Sequence, residues 1–135
     1  MAFIMGHRNQ NWLFPPNVLD LTDEDRICRF VDEVIECMDF REIEERYDGP
    51  GNPAYHPKVM IKLLVKGVID DIFSSRKIFK ATKENVVYMY LSGHLNPDFR
   101  TICRFRKDNL KTIKFVFAEV VKLAREMGIV KLGHI

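Results

Sequence analysis

Residues 57–72 read Pro57-Lys-Val-Met-Ile-Lys-Leu-Leu-Val-Lys-Gly-Val-Ile-Asp-Asp-Ile72, and this stretch decides the fold class. Pro57 suits the first position of a helix, where its missing N–H has no intrahelical partner to lose. From Val59 onward the stretch is apolar on nearly every face, with Lys58, Lys62 and Lys66 spaced four residues apart. A helix of that pattern belongs at the centre of a domain, and the three lysines are expected at its one solvated edge. Helical periodicity also governs the segments on either side, and no alternating strand pattern occurs before the last few residues. The expected fold is therefore all-α: a compact multi-helix domain with a helix-turn-helix-like segment and a long C-terminal helix.

Upstream, Asp48-Gly-Pro-Gly-Asn-Pro53 is the clearest break in the chain. Before it, a helix is expected from Thr22, with Thr22-x-x-Asp25 approximating a capping box. Ile27, Phe30, Val31, Val34, Ile35 and Met38 form its apolar stripe, and Asp25, Asp32, Glu33 and Glu36 its opposite, solvated face. A short helix with Phe40, Ile43 and Tyr47 inward follows. Residues 1–20 read as an extended arm, in which Trp12, Leu13 and Phe14 lie on the core and Pro15-Pro16 stops any helix.

Downstream, Ser74 or Ser75 caps a short basic helix at Arg76–Ala81. A second short helix spans about Asn85–Leu91, with Val86, Val87, Tyr90 and Leu91 available for the core. Gly93 ends it. After a tight connection, Asp98 is a good N-cap for the next helix. Phe99, Ile102, Cys103 and Phe105 are expected to face inward there. Arg100, Thr101, Arg104, Lys107, Asp108 and Lys111 fall on its polar face. Leu110, Ile113, Val116, Phe117, Val120, Ala124 and Met127 carry an apolar stripe into the long last helix, with a kink near Asp108. Gly128 closes it, and Ile129–Ile135 looks like the start of a strand.

The 135 residues make one domain, and 47% hydrophobic residues suffice for a core. The net charge of +2 conceals an asymmetry: residues 1–54 hold 5 Lys/Arg against 12 Asp/Glu, and residues 55–135 hold 16 against 7. Such a split points to a polyanion on one side of the molecule. The densest positive region is 76–114, with ten Lys/Arg against three acids. Two short helices, a turn and a basic amphipathic helix resemble a helix-turn-helix plan, in which the last helix enters the major groove of DNA. Arg100, Thr101 and Arg104 sit where base edges are read, because arginine chelates guanine O6 and N7. Arg76, Lys77 and Lys80 are placed to grip the backbone from the preceding helix, and Arg106, Lys107 and Lys111 extend the basic surface.

Enzyme chemistry finds little support. His7, His56, His94 and His134 are scattered without metal-ligand spacing, and His56 reads as a cap for the helix at Pro57. Phosphate-loop, nucleophile-elbow and dinucleotide motifs are missing. The pair Asp70-Asp71 has no third carboxylate at compatible spacing for a metal. Cys28, Cys37 and Cys103 fit small buried thiols in a reducing cytoplasm. No apolar run is long enough for a membrane helix.

Several motifs coincide with a known pattern. Pro15-Pro16-x-x-Leu19-Asp20, Asp25-x-x-x-x-Phe30-Val-Asp-Glu33 and Arg46-Tyr47 are followed by Gly51-x-Pro53-Ala-Tyr-His-Pro57 and Ser74-Ser-Arg-Lys-Ile78. Pro97-Asp98-x-Arg100-Thr-Ile-x-Arg104-Phe-Arg106 and Gly128-x-Val130-Lys-Leu-Gly133-His come next. In this order and spacing, over about residues 12–135, the chain resembles the N-terminal domain of InsH-type insertion-sequence transposases.

The resemblance implies a helical DNA-binding and assembly domain, residues 21–128. Its expected partners are double-stranded DNA at the terminal inverted repeats and a second copy or a full-length transposase, in a prokaryotic cytoplasm at the nucleoid. It also implies that residues 129–135 are the severed first strand of an RNase H-like catalytic domain. That domain uses an Asp-Asp-Glu triad with divalent metal ions such as Mg, so this chain alone is expected to need no cofactor and to be catalytically inert. The alternative reading is a protein-interaction or dimerisation module without DNA specificity, able to inhibit a full-length transposase.

Overall fold

A computed structural model describes residues 23–47 and 55–128. Seven helices occur among them, and no strand: α1 (Asp23–Cys37), α2 (Arg41–Tyr47), α3 (Pro57–Ile69), α4 (Ser75–Glu84), α5 (Val86–Ser92), α6 (Phe99–Asp108) and α7 (Leu110–Glu126). The expected arm at 1–20, the Thr22 cap, the 48–53 turn and the strand start at 129–135 lie outside the described residues. None of the seven helices is long and apolar enough to cross a membrane.

Helix α3 is the axis of the packing, in contact with α1, α4, α5, α6 and α7. Met60, Ile61, Leu63, Leu64 and Val65 are buried along it, as its composition predicts. They meet Val31 and Ile35 of α1, Ile78 of α4, Val87 and Leu91 of α5, Ile102 of α6 and Val116 and Val120 of α7 in one core. Burying a Leu or Ile side chain contributes about 1.5–3 kcal/mol, so this shared core is the main driving force. Gly67 is required by close approach. A Cβ there would stand 2.8 Å from the Ile72 carbonyl oxygen and 3.2 Å from the Ile78 side chain.

The lysines of α3 depart from expectation. Lys62 and Lys66 are 3% and 1% exposed, and neither lies at a solvated edge. Lys62 Nζ donates to Asp32 at 2.8 Å and to Glu36 of α1. Lys66 Nζ donates to Asp70 at 2.7 Å, and the Tyr88 hydroxyl of α5 donates to the same carboxylate at 2.7 Å. Lys58 alone is half-buried, and its Nζ reaches the Glu36 carbonyl at 3.0 Å. Asp32, expected on a solvated acidic face, is therefore buried, because a buried ammonium must be paired to be tolerated. Asp70 is an ion-pair partner, and Asp71 takes a left-handed turn conformation (φ 59°) after the helix.

His56 caps α3 as expected. Its Nδ1 accepts from the Lys58 N–H at 3.1 Å, and its Nε2 faces Glu44 of α2 at 3.0 Å. Near Asp108, where a kink is expected, the single residue Asn109 (φ −128°, ψ 26°) separates α6 from α7. Asn109, 3% exposed, donates from Nδ2 to the Phe105 carbonyl at 3.0 Å and accepts from Arg46 of α2 at 2.6 Å. Its side chain thus ends α6 and ties in α2. The apolar stripe restarts beyond it: Ile113, Val116, Val120 and Ala124 are buried, whereas Leu110 and Met127 are exposed. In α5, Asn85 accepts from the Val87 N–H at 2.9 Å, which turns Val87 and Tyr88 inward and leaves Val86 exposed. Of the cysteines, Cys28 is buried, while Cys37 and Cys103 are exposed.

Two outcomes follow from these pairings. Asp32→Ala removes the buried partner of the Lys62 ammonium and leaves it only the half-exposed Glu36 of the two, so it should lower the unfolding free energy by about 3 kcal/mol in urea titrations, with Lys62→Met/Asp32→Leu restoring most of it. A loss below about 1 kcal/mol would contradict the burial, since that is the range of exposed pairs. The second concerns pH. Burial holds the His56 imidazole below its ordinary pKa, Glu44 opposing this and Lys58 adding to it. The unfolded chain then takes up the proton first, so this stability is complete above about pH 6.5 and declines as pH falls toward the lowered folded value. His56→Gln should flatten the change in urea midpoint between about pH 7.5 and about pH 5.5. An unchanged slope would exclude His56 as its source.

Candidate nucleic-acid interface

The basic region resolves into one groove built by α4, α6 and the turns before them. Ser74 starts α4, its Oγ accepting from the Lys77 N–H at 3.4 Å. This settles the choice between Ser74 and Ser75 in favour of Ser74, because Ser75 is buried. Asp98 starts α6, its carboxylate accepting from the Arg100 N–H at 3.1 Å. Between α5 and α6 the chain reverses through Gly93 (φ 64°) and His94 (φ 67°), both left-handed, a conformation that glycine adopts without strain. Thr82 of α4 holds this turn, its hydroxyl 2.6 Å from Asn96 Oδ1 and 2.7 Å from the Phe79 carbonyl. Ile102 and Phe105 fix the buried face of α6.

An open groove of about 670 Å³ runs between the start of α4 and the outer face of α6. Its lining is Ser74, Ser75, Arg76, Phe99, Arg100, Cys103, Arg104, Arg106 and Lys107. Five of the nine expected site residues, Arg76, Arg100, Arg104, Arg106 and Lys107, thus share one concavity. Lys77, Lys80, Thr101 and Lys111 are exposed but do not line it. Lys80 faces Glu84 at 3.8 Å on the surface of α4.

The guanidinium groups are differently held. Arg76 stacks over the Phe99 ring at 4.1 Å, and Arg100 approaches the same ring at 5.6 Å. Phe79 supports Phe99 edge-on, centroids 6.2 Å apart and planes at 64°. Cation–π stacking of this kind orients a guanidinium while leaving its N–H edge for another partner. Arg106 is turned inward, donating to the Phe73 carbonyl and, at 2.7 Å, to Ser75 Oγ. It therefore joins α6 to the start of α4 and sets the width of the groove. Arg100 is 80% exposed, with Asp98 at 3.8 Å.

Phe99 and Cys103 are expected to face inward from the sequence. The structure corrects this: Phe99 is half-buried and Cys103 exposed, both in the groove. Only Ile102 and Phe105 fill the buried sector of α6, so Phe99 and Cys103 fall between that sector and the arginine edge. The four-residue spacing of Phe99 and Cys103 was the available signal, and treating every apolar residue as core obscured it. Chemically, the groove offers planar, bidentate donors and a hydroxyl in a concave setting, which suits phosphate oxygens and base acceptors. No group of three or more His, Cys, Asp or Glu among the described residues is arranged to hold a metal ion.

Comparison with known families places residues 16–108 in the family described as Transposase domain (DUF772), and the chain belongs to that family. The match spans α1 to α6 and includes the whole groove. Neither the curated proteins nor the solved structures provide a match.

The two kinds of arginine should separate in stability measurements. Arg106→Ala should cost about 1.5–3 kcal/mol, the range for a hydrogen-bonded charged group. Arg100→Ala and Arg104→Ala, on the exposed face, should stay within about 0.5 kcal/mol of the wild type. Equal losses in thermal unfolding would contradict the division of roles.

Proposed function

We propose that this chain is the DNA-binding and assembly domain of an InsH-type insertion-sequence transposase, with α5, the turn and α6 acting as a helix-turn-helix unit. The observation that carries the reading is the convergence of Arg76, Arg100, Arg104, Arg106 and Lys107 on one groove at the start of α4 and along α6. Membership of a transposase-domain family makes a DNA partner the natural one for that charge.

In this account α6 enters the major groove of the terminal inverted repeat. Arg100 and Arg104 read guanine edges, and Thr101 lies beside them. Arg76, Lys77 and Lys80 of α4, with Lys107 and Lys111, contact phosphates and fix the register. Arg106 reaches the same surface as a spacer, its donors tied to Phe73 and Ser75. Strand cleavage belongs to a separate catalytic domain with its own divalent metal ions, so the isolated chain requires no cofactor to bind.

Fluorescence anisotropy with duplexes carrying the inverted repeats tests this. If about six phosphates are neutralised, affinity should fall about 10³-fold between about 50 and 200 mM salt. Arg100→Ala and Arg104→Ala should reduce the preference over scrambled duplex, each by about 1–3 kcal/mol, whereas Lys80→Ala and Lys107→Ala should weaken all duplexes alike. Equal affinity for repeat and scrambled duplex, unaffected by Arg100→Ala, would overturn the reading.

A further inference from the structure

We infer, resting on the DNA-binding reading above, that the aromatic pair Phe79–Phe99 is the positioning element of the DNA surface and that Lys83, at its far end, is a further phosphate-contacting residue. Arg76, Phe79 and Lys83 are spaced three and four residues apart, on one face of α4. That face meets the start of α6, where the Phe79 and Phe99 rings pack edge to face with centroids 6.2 Å apart. Both rings are half-buried. Each carries cations: Arg76 stands 4.1 Å and Arg100 5.6 Å from the Phe99 centroid, and the Lys83 ammonium stands 4.3 Å from that of Phe79. Two helices thus place three cations on one aromatic strip.

What a cation rests on decides what it has left for a ligand. A carboxylate takes N–H donors and compensates the charge, as Asp39 does for Arg41. A ring takes only the flat face of a guanidinium, so donors and charge stay available to phosphate oxygens and base acceptors. The acids nearby are engaged elsewhere or only loosely: Glu84 faces Lys80, and the Asp98 carboxylate caps α6 and stands 3.8 Å from Arg100. Lys83 is exposed, and seven residues of helix carry the cationic surface about 10 Å along α4 from Arg76. Long basic side chains lose much rotamer freedom on binding, and holding them in place beforehand removes part of that cost. The aromatic pair therefore raises affinity through the cations it supports. Because Arg76 and Arg100 share one ring, it also sets the phosphate contact of α4 relative to the base contact of α6.

Fluorescence anisotropy of the full chain with inverted-repeat and scrambled duplexes, across a salt series, tests this. Phe99→Leu keeps an apolar side chain but removes the ring, and should raise the dissociation constant for the repeat about 10-fold, with helical circular dichroism retained. Phe99→Tyr, which keeps the ring face, should recover most of that loss. Arg76→Ala should cost less in the Phe99→Leu chain than in the wild type, a coupling that a phenylalanine acting only in packing would not produce. Lys83→Ala, at an exposed position, should weaken repeat and scrambled duplex alike and reduce the salt slope by about 1. The proposal is overturned, with the DNA-binding reading intact, if Arg100→Ala reduces the repeat preference while either Phe99→Leu or Lys83→Ala binds as the wild type does. It is equally overturned if Phe99→Tyr loses as much as Phe99→Leu, or if the Arg76→Ala and Phe99→Leu losses simply add. A wild type that binds no duplex overturns both the proposal and the reading it rests on.

Discussion

The ammonium of Lys62, held between Asp32 and Glu36 in the interior, is the constraint around which the rest of the structure is arranged. A buried cation costs several kcal/mol to desolvate, and only close carboxylates offset that cost. Helix α3 carries the cation and α1 the carboxylates, so a slipped packing of the two would bury a charge away from its partner at a cost of several kcal/mol. Lys66, Asp70 and Tyr88 repeat the device one turn further along, fixing α5 against the end of α3.

With α3 fixed from both sides, its C-terminal end determines where the basic groove lies. Gly67 lets the chain after α3 fold back tightly toward Ile78 of α4. From there Phe73 and Ser75 receive Arg106 of α6, which sets α4 and α6 at a defined separation. Arginines on two helices thus become one groove. The frame carries buried ion pairs, the groove carries exposed cations, and the two sets do different physical work. Part of the charge asymmetry between the halves of the chain is accordingly internal: acids of α1 meet lysines of α3. The remaining positive charge concentrates on α4, α6 and the outer face of α7.

Much of this was legible from residue spacing. The order of short helices, the caps at His56, Ser74 and Asp98, the turn at Gly93 and the basic face of α6 all follow from local chemistry, in which the deciding atoms are within a few residues. What escaped was decided at a distance. Lys62 and Asp32 are thirty positions apart, and each alone resembles a solvated residue. The side-chain Oδ1 of Asn109, between the last two helices, accepts from Arg46 far upstream. The inward turn of Tyr88 depends on Asp70 eighteen residues earlier. Phe99 reads as core until Arg76 of another helix is seen stacked on it.

The central claim is that a polyanionic duplex seats in the groove between α4 and α6. Titrating an isotopically labelled chain with a short inverted-repeat duplex, while following backbone amide resonances, tests it most directly. The account predicts perturbations concentrated at Ser74–Lys80 and Asp98–Lys107, with the amides of α1 and α2 unchanged. Perturbations centred on α1 or α2, or no change at a duplex excess under low salt, would contradict it.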